Sequence, residues 1–465
     1  MSSPTGLKRR WFGNSFVNLI GGIGAAGVNV LLPAIVARHL TSESFAVWSL
    51  ALQMMVFVNL LGLGLQTATA RAVAHTADSH ADGGARLQMI VYASRSIAKK
   101  ASGVALLVVL VLAAGYPMLF PDVSPDLLGG FRITLVLFGL AAVVQILVLP
   151  DMGLFQGLHR NAVFVGVQMG SRLLTVLLVW IGVVTHQPMV VLAVLMASAT
   201  ALSWPVMRLV VNRGVTWAHE IGRTTLDLGL RRELLHYCGS LSVWSLSMLL
   251  VNSVGLLIVG RIDILMAGPY AIALAAASVL VGLLGAALTP LMTTAAALHA
   301  NPVTRKQLPT LLTRATLWVA ILLNIGMTLV IALHSQILQF WVGKSFVETT
   351  GPILLILVGA HCLRNIAAPY ALMLLSTGLH KRALVSAVLE GIANVTASIL
   401  LGMKWGAIGV ACGTLISAVL GVLGTLLLNT GRTPELTPQP LAFSVRAVVL
   451  PLLIFMPLHL WLLIH

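Results

Sequence analysis

The feature that most restricts how this chain can fold is a series of apolar segments, each about twenty residues long, separated by short basic loops. A helix needs about 20 mostly apolar residues to cross the hydrocarbon core of a bilayer. Read with that window, the sequence predicts spans at 12–37, 46–70, 101–120, 131–149, 160–183, 189–211, 240–260, 270–297, 314–334, 352–376, 383–403, 406–429 and 441–463. The expected fold is an all-α integral membrane protein with about 12–13 transmembrane helices.

The composition agrees with this fold. Only 9% of the 465 residues are charged, whereas a soluble globular domain carries about 25% charged residues, so the chain cannot cover a water-facing surface. A net charge of +15 would indicate nucleic-acid binding in a soluble protein. Here the basic residues fall in loops between apolar runs, which predicts membrane topology and no nucleic-acid partner. The three cysteines are far apart and are expected to be small core residues, neither metal ligands nor disulfides.

The basic residues also predict the orientation of the chain. With the N-terminus in the cytoplasm, twenty-one Lys and Arg residues fall on the cytoplasmic side, and five fall on the opposite side. The five are Arg38, Arg132, Arg261, Lys344 and Lys404. By the positive-inside rule, this asymmetry predicts a cytoplasmic N-terminus. The first apolar stretch is too long for the core of a signal peptide, so we expect an uncleaved first helix.

Three short echoes, in the same order along the chain, indicate an internal duplication. FQGLHRNA at 155–162 returns as STGLHKRA at 376–383, and IVAR at 35–38 returns as IVGR at 258–261. FAVWSLA, which starts span two, is echoed by YAIALAA at the start of span eight. Six helices is an even number, so the two copies would share one orientation as pseudo-symmetric six-helix bundles. Such bundles, facing each other, would leave a central cleft that opens to alternate sides as they rock.

The expected domain organisation follows from that duplication. It comprises an N-terminal six-helix bundle at 1–211, a basic cytoplasmic linker at 212–239, a C-terminal six-helix bundle at 240–430 and an additional membrane helix at 431–465.

Several stretches resemble a known family. SFAVWSLALQ followed by NLLGLGLQTATARAVA, and GLHKRALVSAVLEGIANVTASILLGMKWGAIGVACGTLIS, are similar to bacterial O-antigen and polysaccharide flippases. These flippases belong to the multidrug/oligosaccharidyl-lipid/polysaccharide exporter superfamily. The resemblance covers nearly the whole chain through loose patterns of small residues. The chain departs from the family at Phe45-Ala46, where an aromatic–Gly pair is common, and at Asn252 and Ser253, where many members place an acid.

The resemblance implies a V-shaped pair of six-helix bundles in the cytoplasmic membrane of a bacterium. It implies a multi-pass transporter that flips a polyprenyl-diphosphate-linked oligosaccharide, a repeat unit of O-antigen, capsule or exopolysaccharide, from the inner to the outer leaflet. The implied partners are this lipid-linked glycan, anionic membrane lipids, and a polysaccharide polymerase with its chain-length machinery. No cofactor is expected, and no glycine-rich nucleotide-binding motif occurs in the sequence.

Charged residues inside the predicted spans are the main functional candidates. Arg172 lies about three turns into span five, Arg364 lies in span ten and Glu390 lies in span eleven. A charge at a helix centre costs roughly 3 kcal/mol on insertion scales, so each should face a cavity or a partner. In one interpretation, an arginine pairs with Glu390 across the two bundles; in the other, guanidinium groups bind the substrate's diphosphate. Glu390 is also a candidate coupling or gating residue that carries a proton.

Amides inside the spans are candidate contacts for sugar hydroxyls, or else for neighbouring helices. The candidate cleft residues of this kind are Asn18, Asn29, Asn59, Gln66, Asn252 and Asn394. In the two repeated loops, His159, Arg160, His380 and Lys381 are candidate headgroup contacts around a tight glycine turn.

Two other function classes remain open. A cation-coupled multidrug exporter of the same superfamily would need deep carboxylates, and the first six spans offer only Asp151, near the cytoplasmic end of span four. A membrane-embedded polysaccharide polymerase or acyltransferase would need reactive groups gathered in a sizeable loop. The outward loops are short and carry no paired acids, with the partial exception of Asp122 and Asp126. The sequence therefore favours a transporter over an enzyme.

Overall fold

The structure is a computed structural model that describes residues 21–464 apart from 23, 63, 78–82, 216, 218–226 and 301. Within these residues the regular structure is helical and includes no strand. In chain order the helices are α1 Gly24–Ala37, α2 Ser42–Asn59, α3 Leu65–Ala77, α4 Gly83–Leu119, α5 Pro125–Gly157, α6 Asn161–Val184, α7 Met189–Ala201, α8 Ser203–Gly214, α9 Leu228–Asn252, α10 Val254–Ile262, α11 Ile264–Ala300, α12 Leu308–Trp341, α13 Val347–Asn365, α14 Ala368–Thr377, α15 Leu384–Gly424 and α16 Pro440–Ile464.

Eleven of the described helical segments are long and apolar enough to cross a membrane. This number agrees with the thirteen predicted spans once two differences are counted. The first span is described only from its second half, as α1, and spans eleven and twelve form one continuous segment, Leu384–Arg432. The exposed faces carry large apolar side chains such as Trp318, Phe340 and Met403, which suit a hydrocarbon solvent. The predicted all-α membrane fold is confirmed.

Two compact units divide the chain. Unit 1 is Met1–Leu246 and unit 2 is Ser247–His465, so the boundary falls within α9. In unit 1, α5 is the central helix and packs against α2, α3, α4 and α7. Its buried aromatic residues anchor that core, with Phe138 edge-on to Trp48 at a centroid distance of 4.9 Å. In unit 2, α13 packs against α11, α12 and α15.

Proline accounts for two of the breaks within predicted spans. Span six is divided into α7 and α8 just before Pro205, and span ten is divided into α13 and α14 just before Pro369. Proline lacks the backbone N–H that would bond to the carbonyl four residues earlier, so the helix bends there. As a result Arg364, predicted to lie mid-span, instead lies at the C-terminal end of α13.

The glycine-rich WGAIGVACG stretch forms a reverse turn inside α15. Trp405 and Gly406 leave the helical conformation, and Gly406 has φ +60°, a region that L side chains rarely adopt. The two halves then fold back closely, because a Cβ at Gly413 would overlap the backbone of Ser398. This turn separates predicted spans eleven and twelve where the sequence placed their boundary.

Candidate functional site

The most developed buried polar site of unit 2 centres on Arg364 and Glu390. The Arg364 Nε donates to Glu390 Oε1 at 2.6 Å, and both side chains are about 10% exposed. Such a charge-assisted bond at short distance is among the stronger interactions available to a buried pair. The pairing of an arginine with Glu390 was one of the two predicted interpretations. However, both residues belong to unit 2, so the expectation that the pair bridges the two bundles is wrong.

Local structure explains why the two charges meet. Arg364 is the penultimate residue of α13, where unsatisfied carbonyls and the helix dipole favour a cation. Glu390 lies on the first half of α15 and faces Gly421 on the second half. A Cβ at position 421 would overlap the Glu390 carboxyl group, so glycine there makes room for the carboxylate.

A chain of hydrogen bonds extends the pair to the end of α9. Arg364 Nη2 donates to Ser417 Oγ at 3.2 Å. The Ser417 hydroxyl lies 3.0 Å from Asn394 Oδ1 and 2.8 Å from the Thr414 carbonyl, either of which can accept its single proton. Asn394 Nδ2 donates to the carbonyls of Leu250 and Val251, at 2.7 and 3.3 Å.

The bonds from Asn394 to Leu250 and Val251 cap the C-terminal end of α9. The final four carbonyls of a helix lack intrahelical partners, and Leu250 and Val251 belong to the last turn of α9. Asn394 is fully buried and its amide groups bond to protein partners. In this structure Asn394 therefore joins helices, and its role as a substrate contact stays a prediction.

Three polar atoms beside this network have no hydrogen-bond partner among the described residues. They are Arg364 Nη1 and both ring nitrogens of His361, one turn earlier on α13. His361 is 3% exposed. A buried polar atom without a partner costs free energy, so the Arg364 donor and the donor and acceptor of a neutral His361 ring are available for a ligand.

Unit 1 contains a different buried ion cluster. Asp151 on α5 is fully buried and accepts from Arg95 Nε and Nη2, on α4, at 3.0 and 2.7 Å through Oδ1. Arg208 on α8 approaches Oδ2 to 3.4 Å. This contact is not a hydrogen bond, and Oδ2 has no hydrogen-bond partner among the described residues. Two arginines around one carboxylate leave this cluster with one net positive charge.

The remaining candidates from the spans lie apart from both clusters. Arg172 is half-buried on α6, and no acidic side chain of the described residues lies within 4 Å of it. Gln66 Nε2 donates to Gln156 Oε1 at 3.0 Å, which links α3 to the end of α5. Asn252 bonds to the Met248 carbonyl of its own helix at 2.7 Å.

Of the other predicted amides, Asn29 is exposed on α1 and Asn59 is the half-buried last residue of α2. Asn18 lies outside the described residues. The structure thus joins Arg364, Glu390 and Asn394 into one network and leaves the other candidates separate.

The two repeated loops share a helix-capping contact. Arg160 Nη1 donates to the carbonyl of Gly214, at the end of α8, and Arg382 Nη1 donates to the carbonyl of Arg432. Each arginine thus satisfies an unpaired carbonyl at the end of the sixth span of its unit. Headgroup contacts by His159, Arg160, His380 and Lys381 stay a prediction.

The backbones of the loops differ, and only one of them makes the expected glycine turn. In the first loop the residue with positive φ is His159, at +56°, whereas in the second it is Gly378, at +76°. Gly157 remains helical and allows α5 to approach α3, because a Cβ there would overlap the Ala70 carbonyl and Val73.

Sequence reasoning predicted the pairing of an arginine with Glu390, but it missed both arginines around Asp151. It counted Arg95 and Arg208 only among the basic residues that set the topology, and it did not single out Ser417 or Gln156. One signal was available, because Asp151 is an acid within a long apolar run and requires a cationic partner. Ser417 carried no such signal, since serine is common in membrane helices that pack closely.

Solved structures with similar folds cover nearly the whole chain. The lipid II flippase MurJ in an inward closed conformation aligns over 98% of this chain and 94% of its own, with 14% identity and a TM-score of 0.67. A multidrug resistance MATE family transporter of the MOP superfamily, in an inward-facing conformation, aligns over 90% and 98%, with 15% identity and a TM-score of 0.68. A eukaryotic MATE transporter aligns over 95% and 100%, with 15% identity and a TM-score of 0.63.

At these identities the likeness concerns the fold. The chain has the fold that these flippase and MATE structures share. No protein-family model matches the sequence, and no curated protein matches it.

Proposed function

We propose that this protein is a transporter that moves a polyprenyl-diphosphate-linked oligosaccharide from the inner to the outer leaflet of a bacterial cytoplasmic membrane. The cargo would be a repeat unit of O-antigen, capsule or exopolysaccharide, delivered to a polymerase with its chain-length machinery. The fold supports a transporter, because a lipid II flippase and MATE exporters have it. Alternating access between the two bundles is the mechanism we expect for such a fold.

The observation that carries the choice of an anionic cargo is the balance of buried charge. The buried acids of the described residues are Asp151 and Glu390, and each is paired with arginine. The Asp151 cluster retains one net positive charge, and Arg172 adds another half-buried cation. A cationic drug would meet repulsion in these surroundings, whereas a diphosphate matches the paired donors of guanidinium groups.

Within this proposal Arg172 and Arg364 contact the diphosphate. Arg364 is the better supported of the two, because its Nη1 is buried and has no hydrogen-bond partner among the described residues. The amides of Asn29, Asn59, Gln66 and Asn252 would contact sugar hydroxyls, as would Asn18. Glu390, held by Arg364, would act as a gating residue that releases the guanidinium when the cargo binds.

The second candidate function is a cation-coupled multidrug exporter. The comparisons favour it as much as the flippase, since MATE transporters align with similar TM-scores. A cation-coupled exporter needs a carboxylate that exchanges cations. The two buried acids of the described residues already have arginine partners, so they meet this requirement poorly. A polysaccharide polymerase or acyltransferase ranks below both, because the proteins named above with this fold are transporters.

The deciding experiment locates the lipid-linked glycan in cells that lack the protein. We expect it to accumulate on the inner leaflet and to return to the outer leaflet when the wild-type chain is supplied. Arg172→Ala and Arg364→Ala should insert normally and fail to restore export, whereas Lys344→Ala, an exposed cation in a loop, should restore it. A normal glycan distribution together with altered drug sensitivity would instead establish the exporter.

A further inference from the structure

A groove between α6 and α8 of unit 1 has no part in the clusters described above. Its volume is about 400 Å³. One wall is formed by Val163, Gly166, Gly170 and Leu174 of α6, and the other includes Val206 and Val210 of α8. Both walls belong to helices that are long and apolar enough to cross a membrane.

The groove presents an apolar surface even where serine lines it. The Ser171 hydroxyl donates to the Ala199 carbonyl at 3.0 Å. The Ser203 hydroxyl donates to the Thr200 carbonyl at 2.7 Å and accepts from Gln145 Nε2 at 3.0 Å. Because these polar groups are already bonded within the protein, the walls offer dispersion contacts rather than hydrogen bonds.

Two glycines create the space. A Cβ at Gly166 or at Gly170 would meet no atom within 4 Å, and both residues are exposed. At other glycines of unit 1, such as Gly153 and Gly157, a neighbouring helix occupies the space where a Cβ would lie. The gap at Gly166 and Gly170 therefore has no protein neighbour among the described residues of unit 1, and in a bilayer an apolar gap of this size is filled by hydrocarbon.

The length of the groove matches one leaflet. From Val163 to Leu174 the helix rises about 16 Å, at 1.5 Å per residue. The hydrocarbon core of a bilayer is about 30 Å thick, so a single leaflet contributes about half of that. A lipid tail that lies along the groove would thus extend from the interface to the bilayer centre.

Two exposed arginines lie near one end of the groove. Arg213 follows Val210 by three residues on α8, so it continues the helix face that lines the groove. Arg160 comes directly before α6, three residues ahead of Val163. The Arg160 guanidinium lies between the two helix ends, where it donates to the Gly214 carbonyl. Both arginines are exposed, so their remaining donors can reach an anionic headgroup.

We infer that this groove binds the isoprenoid tail of the lipid-linked cargo, with the diphosphate held near Arg160 and Arg213. The inference rests on the proposed function, which supplies a single long tail joined to an anionic diphosphate. By the positive-inside rule the arginine end is cytoplasmic, so the groove would hold the cargo in the inner leaflet before it is flipped.

The test uses the full-length protein in phosphatidylcholine vesicles with a polyprenyl diphosphate that carries a photoactivatable group in its tail. After illumination, we expect labelled peptides from 161–184 and 203–214. Gly166→Leu and Gly170→Leu fill the groove and should lower the labelling about tenfold. This is roughly the loss in affinity expected when two methylene groups of the lipid tail are no longer buried. Gly103→Leu on α4 is the matched control, because it is also an exposed glycine whose Cβ would meet nothing, and it should label like the wild type.

Three results would overturn the inference. One is labelling that falls outside both peptides in the wild-type protein. Another is equal competition by an ordinary phospholipid. If phosphatidylglycerol abolishes the labelling at the same concentration as unlabelled polyprenyl diphosphate does, the groove is a general phospholipid site. The third is a crosslinked dimer that Gly166→Leu abolishes, which would assign the groove to a second copy of the chain.

The peptide map is measured on the wild-type protein, so it stands even where a leucine variant fails to insert. It is also separate from the test of function. A wild-type protein that restores glycan export in cells but is not labelled in the groove contradicts only this inference. A protein that exports no glycan contradicts the proposed function itself.

Discussion

The two units bury charge in different ways. In unit 1 a fully buried aspartate is surrounded by two arginines, from α4 and α8. In unit 2 a single arginine meets a single glutamate, and the neighbouring partners are the uncharged groups of Ser417 and Asn394. The first cluster has a net positive charge, whereas the second is neutral and includes a donor on Arg364 that has no partner in the described part of the chain.

This difference separates what each cluster can do. Asp151 joins α4, α5 and α8 through ion pairs to Arg95 and Arg208, so its loss would leave two cations without a partner. The Arg364–Glu390 pair contains two charges where the Asp151 cluster contains three, and it lies beside polar atoms of Arg364 and His361 that have no partner among the residues described. This arrangement suits a pair that opens to accept a ligand. We therefore interpret the unit 1 cluster as mainly structural and the unit 2 cluster as the better candidate for function.

The largest expected effect comes from removing the carboxylate of unit 1. Asp151→Asn should lower the free energy of unfolding by about 3–5 kcal/mol, because it leaves two arginines in a buried site without a counter-ion. Equilibrium unfolding in mixed detergent measures this change. The control is Asp126→Asn, at an exposed acid in the first turn of the same helix, which should lower the free energy of unfolding by less than about 1 kcal/mol. Equal effects of the two variants would show that the cluster does not hold unit 1 together.

The pair in unit 2 gives an intermediate effect and sharpens the comparison. Glu390→Gln should lower the free energy of unfolding by about 3 kcal/mol, because the Arg364 charge then lacks a carboxylate partner in a mostly buried site. The double variant Arg364→Met with Glu390→Met should return the stability to within about 1 kcal/mol of the wild type, since apolar residues of similar size often replace a buried pair without loss.

Glycan export then distinguishes the two interpretations of Arg364. If the arginine contacts cargo, the stable double variant remains inactive. Restored export in that variant would mean that the pair serves only the packing of α13 against α15.

The smallest effects concern the two repeated loops. Gly157→Ala should cost about 2 kcal/mol, because the added methyl group overlaps the Ala70 backbone and forces α5 away from α3. Gly378→Ala should cost about 1 kcal/mol, from the left-handed backbone alone, since nothing lies within 4 Å of its Cβ position.

Equilibrium unfolding in mixed detergent compares the two loop variants. A larger loss for Gly378→Ala than for Gly157→Ala would contradict the assignment of the two glycines to different roles, and would restore the expectation of a single shared turn.

Much of the fold was predictable because the bilayer imposes one simple rule on every span. The turn at Gly406, the bends before Pro205 and Pro369, and the apolar runs themselves are local properties of the sequence. The candidate site was predictable only in part. Arg364 and Glu390 were recognised as buried charges that need partners, but the capping role of Asn394 depends on where α9 ends, close to α15.

The sequence by itself determined that the chain is a bundle of membrane helices with arginines inside it, because each span must supply its own apolar length and each buried charge is conspicuous against that background. Only the tertiary structure decided which residues meet. Arg95 donates to Asp151, which lies 56 positions away in the sequence, and Asn394 donates to the carbonyl of Leu250, which lies 144 positions away. Such pairings follow from the rotation and packing of whole helices, and the spacing of residues within one helix does not encode them.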